Sequence, residues 1–221
     1  MMIKGWLWKI SGLLLVFYSI IAGLLIHVPE LPVVHQTIRN LFFHVPMWFA
    51  MFFMFGTSLV YSIRYLGSMK LKDDLVASQS VSTGLLFGVL GLLTGMIWAK
   101  FTWGDFWTND PQLTGASVSV IAYVAYLILR EAIDENALRA KISAVYNIFA
   151  FMLLAIFLGI LPRLADSSLH PGKGESPSPM GDLDPMMSLV FFPAAIGWIL
   201  FAYWVLDIRK RKRIIEMQHQ L

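Results

Sequence analysis

Cysteine is absent from the 221 residues. Its absence excludes disulfides, thiolate metal sites and thioether attachment of a cofactor. Charge is scarce too: 14% of residues are Asp, Glu, Lys or Arg, against 57% hydrophobic. That balance is too apolar for an ordinary soluble domain. No nucleotide-binding loop, nucleophile–base pair or paired carboxylate can be found, so the chain is not read as an enzyme. No charged residue sits at the centre of a long apolar run, which argues against a proton relay or an ion path within a bilayer. The basic residues lie beside those runs, where lipid headgroups explain them, and nothing points to nucleic acid.

What is present is apolar length. A spanning helix takes roughly 20 residues. Six runs qualify: Ile10–Ile26, Pro46–Arg64, Leu75–Ala99, Pro111–Leu129, Ile142–Leu161 and Pro185–Leu206. The predicted fold is therefore all-α, a single six-helix membrane domain over residues 1–221. The first run has basic flanks but no small-x-small cleavage site, and reads as a retained helix. Gly84, Gly88, Gly91 and Gly95 recur three or four apart, a spacing that lets helices approach closely.

Lysine and arginine set the orientation. All but four of the 17 fall at the termini or in the second-to-third and fourth-to-fifth connections. The exceptions are Arg39, Lys100, Arg163 and Lys173. By the positive-inside rule both termini are cytoplasmic. Three connections then face outward, about 27–45, 99–110 and 162–184. The tail after His170 in the third is turn-forming throughout.

The most informative stretch lies in the second outward connection. In Trp98-Ala-Lys-Phe-Thr-Trp-Gly-Asp-Phe-Trp, five of the ten residues are aromatic, and Thr-Asn-Asp110-Pro111 follows. Such a run offers a partly wet, flat platform for a large planar apolar ligand with a polar edge. It is equally read as interfacial anchoring by Trp98, Trp103 and Trp107. Asp110 caps the next helix on either reading, with Pro111 at its first position. Four of the five histidines, His27, His35, His44 and His170, lie on the same outward side. Pro46 reads as the first residue of the second helix, which puts His44 just above it at the outer rim. Neutral imidazoles are good ligands for haem iron, and two can cap it from both faces. A zinc site would want three or four close ligands and is the weaker case.

The run Trp103-Gly-Asp-Phe-Trp107-Thr-Asn-Asp110-Pro-Gln-Leu113-Thr114 resembles the tryptophan-rich "WWD" signature of haem-handling proteins in cytochrome c maturation. With the span order, the Phe-His-Val-Pro before the second helix and the Leu-His of the last outward loop, the whole chain resembles the CcmC, or haem exporter protein C, family. The resemblance implies that His44 and His170 are axial ligands of haem iron. It implies that Trp103, Gly104, Trp107, Asp110, Leu113 and Thr114 belong to the segment holding the macrocycle. The haem would be b-type, bound non-covalently and transiently, at the periplasmic face of a bacterial inner membrane. It would pass to the chaperone CcmE, with the ABC-type partners CcmA and CcmB and the small protein CcmD. Two positions depart from the family pattern Trp-Gly-x-x-Trp-x-Trp-Asp-x-Arg-Leu-Thr. Asn109 replaces its third Trp, and Gln112 replaces an Arg suited to a haem propionate. Lys100 or Arg163 is the candidate replacement charge.

Two other readings compete. A cytochrome b-type electron-transfer subunit would need His pairs inside the helices, and none of the runs above contains one. A cofactor-free permease subunit of an ABC-type transporter fits the span count, but leaves the aromatic turn and the outward histidines as mere anchors.

Overall fold

The computed structural model describes residues 2–30, 34–165, 168–170 and 183–219. Among these, every regular element is helical. α1 (Met2–Leu25) is followed by a 3₁₀ turn (His35–Asn40), α2 (Leu41–Ser68), α3 (Leu71–Trp103), α4 (Pro111–Glu131) and α5 (Asn136–Leu154). A π-helical turn (Ala155–Ile160) and the short α6 (Leu161–Leu164) prolong α5, and α7 (Pro185–His219) comes last. Six helical runs are long and apolar enough to cross a membrane. The all-α, six-span architecture read from the sequence is the architecture found.

α2 is the hub of the bundle, packing on α3, α7 and α5, while α1 lies on α7 and α4 on α5. Between apolar helices in lipid there is little hydrophobic drive, so close contact and buried hydrogen bonds must hold them. The α2–α3 contact supplies the first. A Cβ on Gly84 would stand 2.6 Å from the Phe55 ring, on Gly88 2.9 Å from Met51 Sδ, on Gly91 2.9 Å from Trp48 and on Gly95 2.7 Å from His44 Cε1. The four pairs keep one antiparallel register, so each glycine is a socket for one α2 side chain. Phe55 in turn stacks on Tyr123 of α4, with ring centroids 3.5 Å apart. Buried hydrogen bonds supply the second: Asn147 Nδ2 of α5 donates to Ser58 Oγ at 2.6 Å and Ser62 Oγ at 2.7 Å on α2.

One end of the bundle is tied by ion pairs. Arg130 at the end of α4 forks onto buried Asp74 in the first turn of α3, at 2.7 and 2.6 Å. Arg64 of α2 reaches Asp73 at 3.5 Å, and Lys9 of α1 holds Asp207 of α7 at 2.7 Å. The two aspartates also suit the positive end of the α3 dipole.

The other end carries the aromatic turn, and here the start of the second helix needs correction. α2 begins at Leu41, so Pro46 lies inside the helix and His44 is a helical residue, not a loop residue above it. The 3₁₀ turn leads straight into α2, and fully buried Phe42 with nearly buried Leu41 fastens that first turn against the bundle. Burial there outweighs the single backbone bond that Pro46 removes. The π turn has the same origin. Pro162 cannot donate to the carbonyl four residues back, and the ladder widens ahead of it.

Candidate functional site

His44 occupies the first turns of α2 and is only 8% exposed. Its socket is Gly95 of α3, where any side chain would collide with the imidazole. Thr94 Oγ1 donates to its own helix, at the carbonyls of Leu90 (2.8 Å) and Gly91 (3.0 Å). It therefore accepts from His44 Nδ1, 3.1 Å away. Trp48, one helical turn on, donates its indole N–H to His44 Nε2 at 3.1 Å. These roles assign the imidazole proton to Nδ1. Trp98 stands edge-on to the same ring, centroids 5.8 Å apart, and donates its own N–H to Thr37 Oγ1 of the 3₁₀ turn at 3.0 Å. Beside them Asn40, Phe43, Trp98 and Phe101 line a cleft of about 280 Å³ that opens on the bundle surface.

The second group centres on Asp110, 2% exposed. Its Oδ1 accepts the backbone N–H of Gln112 (2.8 Å) and Leu113 (3.3 Å), which is the helix cap expected ahead of Pro111. Its Oδ2 does something the sequence did not suggest. It accepts from Ser168 Oγ at 2.8 Å and from the Leu169 N–H at 2.6 Å, fastening the connection ahead of α7 to the start of α4. His170 follows at once, with Nδ1 2.7 Å from Asp110 Oδ1. That approach runs off the axis of the ring N–H, so the contact is electrostatic more than a directed hydrogen bond. Burial pushes the Asp110 carboxyl up, but the contact with His170, its charge and the Ser168 and Leu169 donors outweigh burial and hold it below the usual carboxylate range. The His170 ring lies against Trp103, centroids 5.7 Å apart. Among the described residues nothing is hydrogen-bonded to His170 Nε2.

The aromatic turn joins the two groups. Trp103 ends α3, and Gly104 takes φ +93°, a left-handed conformation that suits glycine and turns the chain sharply. Phe106 and Trp107 then stand about half exposed, at 53% and 45%. Lys100 Nζ bonds the Gly104 carbonyl at 2.6 Å and lies over the Phe106 ring, while Arg163 bonds the Gly159 carbonyl. Both candidate charges are thus engaged by their own chain. Thr37 Oγ1, the acceptor for Trp98, is also 3.3 Å from Thr102 Oγ1 next to Trp103. Gly95 and Trp103 are eight residues apart on α3, a rise of about 12 Å along that helix, and Trp98, which meets the His44 ring, stands between them.

A model of the family described as "Heme exporter protein C" (CcmC) matches residues 1–221. The chain belongs to the heme exporter protein C family. The protein of that name from Paracoccus denitrificans is 26% identical over 182 residues, covering 80% of this chain and 73% of the relative. The one from Bradyrhizobium diazoefficiens is 30% identical over 123 residues, 54% of this chain and 46% of the relative. "Cytochrome c biogenesis protein CcsA" of Pelargonium hortorum is 34% identical over 105 residues, 47% of this chain and 32% of the relative. The chain thus spans less than half the length of the last two.

In this heme exporter protein C family member, Trp103, Asp110 and His170 come together, and Gly104 shapes the turn between them. Trp107 stands outside, on the exposed rim. Leu113 is buried beneath the cap, and Thr114 is exposed on α4. His27 and His35 are exposed, His35 at the start of the 3₁₀ turn that carries Thr37. Of the connections expected to face outward, residues 31–33, 166–167 and 171–182, Lys173 among them, lie outside the described residues. Sequence reasoning missed Trp48, Thr94, Gly95 and Ser168. Trp48 and Gly95 left a signal: Trp48 is four residues from His44, and Gly95 closes the glycine stripe opposite it.

Proposed function

We propose that the chain binds haem at the outward rim of a bacterial inner membrane and passes it on for cytochrome c maturation. His170 and His44 are the iron ligands, and Trp103 and Trp107 are the shelf for the macrocycle. The observation that carries this reading is His170. Its Nδ1 faces a buried carboxylate, its ring lies on an indole and no described group occupies Nε2. A carboxylate beside one imidazole nitrogen, with no partner at the other among the described residues, suits a metal-binding histidine. Among the described residues no three His, Asp or Glu side chains gather as a metal cluster, which favours a planar iron complex over a bare ion.

The donor set fits the cargo. Haem supplies a Lewis-acidic iron in a flat apolar ring, and the chain supplies imidazoles, indole faces and a cleft at one end of the bundle. Without cysteine the binding is b-type and non-covalent. By the charge rule this end faces the periplasm, the ion-paired end faces the cytoplasm, and the recipient is a chaperone of the CcmE type, with CcmA, CcmB and CcmD as companions.

The test is transfer. Purified protein loaded with haem is mixed with the apo form of a soluble CcmE-type domain, and haem is followed from one to the other. Transfer is expected from the wild type, with at least about tenfold less haem delivered by His170→Ala. Protein that takes up no haem, or delivers as much without His170, overturns the proposal and favours a cofactor-free permease.

A further inference from the structure

The two histidines stand in opposite states. Among the described residues His170 Nε2 has no partner, whereas both nitrogens of His44 have one. Thr94 takes one side of the His44 ring and the Trp48 N–H takes the other. The nitrogen that Trp48 occupies is Nε2, the unprotonated one, and the only lone pair this imidazole can offer. Gly95 and Trp98 confine the ring further, so it cannot swing clear without moving a neighbour.

We propose that Trp48 is a latch on His44: its indole N–H holds the lone pair that iron requires, so that ligation by His44 must displace Trp48. This rests on the reading of His44 as an iron ligand. It makes His170 the first ligand and His44 the second. It also weakens the second bond by the hydrogen bond that must be broken, which suits a carrier that has to release its cargo. Trp48 is a positioning residue here, since it acts on iron only through His44.

Trp98 provides the control. It also meets the His44 ring, but its N–H goes to Thr37 Oγ1. Trp48→Phe and Trp98→Phe therefore make the same chemical change beside His44, and only the first frees Nε2. The readout in haem-free protein is carbethoxylation of His44 by diethyl pyrocarbonate, which needs a free imidazole lone pair, with His219 as internal reference. Trp48→Phe is expected to raise the rate at His44 about three- to tenfold, the worth of one net hydrogen bond, and Trp98→Phe to leave it near the wild-type rate. In haem-loaded protein Trp48→Phe is expected to increase the six-coordinate low-spin fraction and to slow haem loss to a scavenger by a similar factor. A measurement without any variant guards against misfolding. The ¹⁵N-labelled indole N–H of Trp48 is expected to exchange slowly with solvent in free protein and faster after loading with ferrous haem.

Unchanged His44 reactivity in Trp48→Phe, or an equal rise in Trp98→Phe, overturns the latch and leaves haem binding by His170 untouched. So does a freed His44 with no change in spin state or release. Failure of every form, wild type included, to take up haem instead overturns the functional reading itself.

Discussion

Asp110 shows how much one side chain can carry. Its two oxygens divide the labour: Oδ1 caps α4, and Oδ2 fastens Ser168 and Leu169. Asp110→Asn separates the two roles, because Asn caps a helix about as well as Asp. The amide nitrogen placed at Oδ2 cannot accept the Leu169 N–H. The expected result is an unchanged far-ultraviolet helix signal with faster hydrogen exchange at the Leu169 and His170 amides, and a loss of haem affinity of about tenfold. Asp110→Ala should lose about a further 1 kcal/mol of stability through the missing cap. Equal exchange rates in wild type and Asp110→Asn would show that Oδ2 does not hold the segment. The sequence made the cap legible, because a cap is local: Asp before Pro before an apolar run. The hold on residues 58 and 59 positions away was not legible, since no local pattern records which distant donor a spare carboxylate oxygen will meet.

At the level of elements, the glycine stripe of α3 was legible from its spacing, but its register was not. Fixing the register required the start of α2, and Pro46 misplaced that start. With α2 beginning at Leu41, each α3 glycine receives one side chain from Phe55 back to His44. The same stripe that packs the bundle therefore sets the depth of the second histidine. Gly84→Ala places a methyl 2.6 Å from the Phe55 ring and should cost about 1–3 kcal/mol by overpacking. Gly67→Ala, with nothing within 4 Å, should be neutral or slightly stabilising. Thermal unfolding in detergent compares the two, and equal midpoints would contradict the socket geometry. The ends of α3 taught a related lesson. The sequence suggests Leu75–Ala99, and the helix runs from Leu71 to Trp103. Its extra first turn contains Asp73 and Asp74, which hydropathy reads as solvent but Arg64 and Arg130 neutralise within the bundle.

Across the whole molecule, charged side chains are sorted to the two ends. One end joins α1 to α7, α2 to α3 and α3 to α4 by ion pairs. The other end carries His44, the aromatic turn and His170, one histidine packed on α3 and one held by the cap of α4. They belong to different segments, so a ligand bridging them would tie the connection ahead of α7 to the α2–α3 pair. The central claim is that one iron takes both imidazoles. The absorption spectrum of purified protein titrated with ferric haem tests it most directly. A spectrum with a six-coordinate low-spin component is expected for the wild type. His44→Ala is expected to give a five-coordinate, high-spin spectrum, and His170→Ala little bound haem. A wild-type spectrum that survives unchanged in either variant would contradict the claim.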